Sequence, residues 1–136
     1  MKKTIIVTLL LLCGMTANAA AGSDFDKMKA LVGQWDATGP EGKTRITFQL
    51  ISEGSALMES MSRESMVTVY HPDGDSIMMT HYCAAGNQPR MRAQGSRGDS
   101  IVFQFVDADH LKTEWTLYKE GKPDSTHSFE LTRKKK

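Results

Sequence analysis

Turn-forming residues recur about every 8 to 12 positions along most of this chain, the interval expected of an antiparallel sandwich or barrel. They are Gly39-Pro40-Glu41-Gly42, Glu53-Gly54, Pro72-Asp73-Gly74-Asp75, Gly86-Asn87, Gly95 to Gly98, Asp107-Ala108-Asp109 and Glu120-Gly121-Lys122-Pro123. Between them, apolar residues alternate with polar ones: Ile46, Phe48, Leu50; Ile101, Phe103, Phe105; Leu111, Thr113, Trp115, Leu117; Phe129, Leu131. No helical pattern follows Gly33. Strands with no covering layer of helices must close on themselves to hide their edges. The sequence therefore predicts an all-β fold, a single antiparallel barrel of about eight to ten short strands.

One short helix precedes the strands. Ser23 can cap it, Asp24 and Asp26 suit the positive end of the helix dipole, and Phe25, Met28 and Leu31 share a face. Gly33 stops it. Further upstream, Lys2 and Lys3 precede an apolar run from Ile5 to Cys13 that only Thr8 interrupts. That run is shorter than the roughly 20 residues of a membrane-crossing helix. Ala17-Asn18-Ala19 and Ala19-Ala20-Ala21 are overlapping cleavage patterns of a secretory signal peptide. The expected organisation is a signal peptide over 1–21 and one barrel domain over 22–136, periplasmic or secreted. Leu12 is too large to precede a lipidated Cys13, so a lipoprotein is not expected. No later segment is apolar enough to span a membrane.

Export would remove Lys2 and Lys3, leaving 15 of the 17 basic residues against 16 acidic ones, a net charge of −1. A near-neutral domain does not hold a nucleic acid by its phosphates. The basic run Arg133 to Lys136 reads as a solvated tail. Cys13 would leave with the signal, and a lone Cys83 cannot form an internal disulfide. Stability must come from a core.

The hairpin around Asp73-Gly74 suggests pairing His71 with Ser76, Tyr70 with Ile77, Thr68 with Met79 and Met66 with His81. One face then carries Met66, Thr68, Tyr70, Ile77, Met79, His81 and Cys83, the other Val67, Val69, Met78, Thr80 and Tyr82. Both faces are partly apolar. A lone thiol in an oxidising compartment is safest buried, which favours the Cys83 face as the inner one.

Gly33-Gln34-Trp35, after a short helix and at the first strand, resembles the G-x-W opening of lipocalin-like (calycin) β-barrels. That resemblance implies an arginine packed over the tryptophan, and Arg133 in the last strand is the matching residue. The segment from Thr80 to Met91, with Glu114-Trp115-Thr116-Leu117-Tyr118 and Phe129-Glu130-Leu131-Thr132-Arg133, resembles bacterial domains of unknown function of the DUF1579 type. The resemblance covers nearly all of the chain after residue 21 and implies a fold and a cavity, with no activity to carry over. In a related branch, the nitrobindin-like proteins, a histidine on a late strand holds heme; His127 matches in kind, though its surroundings do not.

His81 and Cys83 point the same way from one strand, about 7 Å apart. They could ligate a metal or pair as base and nucleophile. No further ligand or orienting carboxylate is recognisable, so the sequence favours an ordinary buried cysteine and a hydrogen-bonded histidine. Asn87, Gln88 and Arg90 could anchor a ligand head group at the barrel's lip. They could equally be turn and outward-facing residues, and the sequence leaves both readings open. Seven methionines remain after residue 21, and they suit either an adaptable cavity or a plain core.

The expected function is non-covalent binding of a small apolar or amphipathic molecule rather than catalysis. The expected walls are Phe48, Met66, Tyr70, Met79, His81, Phe103, Trp115 and Phe129, with Gln88 and Arg90 as polar anchors. The alternatives are a heme protein or enzyme using His127 or His81, and an interaction module with a filled core. The sequence names neither a ligand nor an oligomeric state.

Overall fold

The computed structural model describes residues 19–93 and 100–135. Helix α1 (Ala19–Lys29) is followed by nine strands: β1 (Gly33–Gly39), β2 (Gly42–Ile51), β3 (Ala56–Met61), β4 (Met66–Asp73), β5 (Ser76–Tyr82), β6 (Arg90–Arg92), β7 (Ser100–Phe105), β8 (His110–Lys119) and β9 (Lys122–Arg133). All belong to one antiparallel sheet in the order β6-β5-β4-β3-β2-β1-β9-β8-β7. Pairing of the first strand with the last joins β1–β6 to β7–β9 in this sheet, which curls into a nearly closed barrel with β6 and β7 as its two edges. Residues 1–18, most of the predicted signal peptide, lie outside the described residues, as do 94–99. No described helix is long and apolar enough to cross a membrane.

The alternating pattern sorts the side chains as expected. On β2, Ile46 and Phe48 are buried while Arg45 and Gln49 are exposed; on β1, Trp35 and Ala37 are buried between exposed Gln34, Asp36 and Thr38. The β4–β5 hairpin buries Thr68, Tyr70 and Met79, so the Cys83 face is the inner one. Its register differs by two from the predicted one. Asp73 pairs with Ser76, Tyr70 with Met79 and Thr68 with His81, because Gly74 at φ 61° closes the chain in two residues rather than four. A shift of two preserves the faces but changes every partner. The β8–β9 turn is equally tight: Glu120 and Gly121 both have positive φ, and Lys122 and Pro123 already belong to β9.

Helix α1 plugs one end of the barrel. It begins at Ala19, so Ser23 lies inside it rather than at its cap, and both predicted cleavage positions fall within it. Phe25, Met28 and Leu31 are buried, as their spacing predicts. Beyond Lys29, the Trp35 indole N–H donates to Leu31 O at 2.8 Å, while Arg133 donates to Ala30 O at 2.7 Å and Val32 O at 2.9 Å. Two side chains thus satisfy three successive carbonyls left over at the helix end. The guanidinium also lies 4.1 Å from the Trp35 ring centre and donates to Ala108 O at 3.0 Å. Gly33 leaves room for it: at φ 135°, a Cβ there would sit 3.3 Å from Arg133 Nη1.

Arg133→Ala is expected to lower stability by about 2 to 3 kcal/mol, through unpaired carbonyls and the uncovered indole. Arg133→Lys, which cannot fork, should recover less than half of that. Urea unfolding with an unchanged m-value is the measurement; a loss below about 0.5 kcal/mol for Arg133→Ala would contradict the role.

Candidate functional site

The plugged end leaves the opposite end open. There the β1–β2, β3–β4, β5–β6 and β8–β9 connections surround the mouth of a cavity of about 620 Å³. Met61, Met66, Met91, Trp115, Leu117 and Phe129 supply its apolar wall. Glu41, Arg63, Glu64, Asn87, Lys119 and Asp124 border it from the loops and strand ends around the mouth. Phe129 can turn inward because Gly39 faces it, where a Cβ would meet its ring at 2.4 Å.

Two aromatic contacts cross the interior between strands that share no hydrogen bonds. His81 on β5 meets Trp115 on β8 edge-on at 5.3 Å, and Tyr70 on β4 meets Phe103 on β7 at 5.7 Å. Tyr70 and Phe103 do not border the cavity, whereas His81 and Trp115 do.

One transverse row of the inner face turns polar beyond β2. Phe48, Glu59, Thr68 and His81 are successive register partners across β2, β3, β4 and β5. Thr68 Oγ1 and His81 Nδ1 are 2.8 Å apart, and burial holds the imidazole below its ordinary pKa, so it is neutral at pH 7. Glu59 is 6% exposed and accepts a 2.5 Å hydrogen bond from the Tyr70 hydroxyl, its diagonal neighbour on β4. Burial pushes the Glu59 carboxyl up to about 7, the Tyr70 bond opposing this in part. Tyr70 itself, 1% exposed, is raised well above its ordinary value by burial and by the carboxylate, so it remains a donor. Among the described residues no ion pair reaches Glu59, although it borders the cavity.

The residues singled out from sequence are divided by the fold. His81, Cys83, Asn87, Trp115 and His127 border the cavity, His127 from an exposed position opposite Trp115. Tyr70 and Met79 lie in the core behind it, as do Phe48 and Phe103 among the expected walls. Gln88 and Arg90 do not border it: Gln88 donates to Gly86 O at 3.3 Å within its own turn, and Arg90 is exposed on β6. Arg90 alternates with the inward Met91, so the same strand cannot aim both at the cavity. Cys83 is half-buried, and its Sγ accepts a 3.5 Å contact from Ala85 N–H. No group of three or more His, Cys, Asp or Glu that could hold a metal occurs among the described residues. Sequence reasoning missed Glu59, although the spacing Leu57-x-Glu59-x-Met61 puts an acid on an apolar face.

Neither a scan of protein-family models nor a search of curated proteins returns a match for the chain.

Folding favours protonated Glu59, because its pKa rises from 4.5 to about 7. The associated stabilisation is fully present below pH 4.5 and is lost as pH rises through about 7, an amount on the order of 3 kcal/mol. Urea unfolding at about pH 5 and pH 8 should show that loss in the wild type and not in Glu59→Gln. Parallel pH dependences for the two chains would rule the assignment out.

Proposed function

We propose that this protein binds a small apolar or amphipathic molecule non-covalently in the open half of its barrel. The observation that carries the reading is the cavity of about 620 Å³ with its methionine and aromatic wall. Its size is that of a typical small-molecule site, and methionine side chains adapt to guests of different shape. Burying an alkyl chain there contributes about 0.8 kcal/mol per methylene, so a medium-length chain suffices for micromolar binding. The lipocalin-like and DUF1579-type resemblance supports a barrel that holds a guest. The signal-like segment supports a carrier that works in the periplasm or outside the cell. Nothing in the polar row supplies a nucleophile with an orienting carboxylate, and binding accounts for the cavity without one.

Native mass spectrometry of the protein purified from its own compartment should show a retained small molecule as excess mass. The stripped protein should take up the neutral dye Nile red, and Met66→Trp, which fills the cavity near its mouth, should weaken uptake at least about tenfold. Met66 is only half-buried, so overpacking there should cost about 1 kcal/mol and leave the fold intact. A bare mass together with no dye uptake would sink the carrier reading.

A further inference from the structure

We infer that the occupant of the cavity carries a protonated amine, received by the Glu59 carboxylate. This rests on the carrier reading and names the chemical class of its ligand. A buried carboxylate is stable in its charged form only when paired and hydrogen-bonded. Glu59 has half of this: the Tyr70 hydroxyl occupies one oxygen, Oε2, and no cation of the described chain is paired with it. The nearest basic side chain in its row is His81, but Thr68 holds its Nδ1 and burial keeps it neutral. Without a partner the buried carboxyl is held toward its neutral form, and a cation entering the cavity would stabilise the charged one.

The surroundings suit a cation. The Trp115 ring borders the same cavity, and an aromatic face attracts ammonium groups while offering nothing to an anion. Around the mouth, Glu41, Glu64 and Asp124 outnumber Arg63 and Lys119, and Arg63 donates to the Glu41 backbone carbonyl. A carboxylate-headed guest could reach the Thr44 hydroxyl, which borders the cavity and has no partner among the described residues. At about pH 8, however, it would also face the charged Glu59. An ammonium would meet a charge-assisted acceptor, and its apolar tail would lie against Met61, Met66 and Phe129.

Three probes with the same twelve-carbon tail decide the matter: dodecylammonium, dodecanol and dodecanoate, each displacing Nile red at about pH 8 below its micellar concentration. The expected order is dodecylammonium tightest, at least about tenfold ahead of dodecanol, with dodecanoate weakest. Glu59→Gln should erase the amine's advantage and leave dodecanol within about threefold of its wild-type affinity. Should that variant not fold, the ranking on the wild-type chain decides alone. An amine that binds no better than the alcohol, or an advantage that persists in Glu59→Gln, overturns the inference and leaves the carrier reading standing. Failure of all three probes to displace a dye that does bind also overturns the inference, whereas the carrier reading falls only if the dye is not taken up.

Discussion

Arg133 is where the barrel is tied. Its strand, the last, pairs with the first, and without that pairing β1 to β6 and β7 to β9 would be two separate sheets with their apolar faces uncovered. The planar guanidinium joins the chain after the helix to the β7–β8 turn through three hydrogen bonds and lies over Trp35 of the first strand. Because it sits over the Trp35 ring, it also helps keep water from the indole at the bottom of the core. Everything above that end can then be loosely filled. The core runs from Phe25, Met28 and Leu31 through Trp35 to Tyr70 and Met79, and the cavity begins where it stops.

The polar row works against the fold that contains it. An apolar residue at position 59 would continue the surface of Leu57 and Met61, whereas the glutamate is desolvated and lacks an ionic partner. Thr68 and Tyr70 lessen the cost without removing it, one by engaging His81 and the other by donating to the carboxylate. Local rules that fail in one patch of an otherwise consistent structure mark the places where function competes with stability. Here the patch borders the cavity.

Much of the architecture was legible from alternation and turn spacing, because a buried face with period two is unambiguous when one face is clearly polar. The N-terminal helix face follows from such local patterns, whereas the tryptophan–arginine pair came from the family resemblance and the inner face of the β4–β5 hairpin from the lone thiol of Cys83. The site was less legible. Gln88 and Arg90 stood out as polar residues in a turn, but their orientation depends on where β6 begins, which three residues of strand cannot signal. Glu59 sat in plain view on an apolar face, yet a single acid in a short strand usually marks the solvent side. The pairing of Thr68 with His81 was hidden by a hairpin two residues tighter than supposed.

That hairpin gives the site an unexpected dependence. The partners in the polar row are chosen by counting residues outward from Gly74, which lies at the far end of β4 and β5 and touches none of them. A loop there two residues longer would keep every side chain on its own face and leave the core looking intact. It would nonetheless slide Met79 opposite Thr68 and carry His81 one step along toward the rim. Gly74 thus serves as an index mark for chemistry at the other end of the barrel.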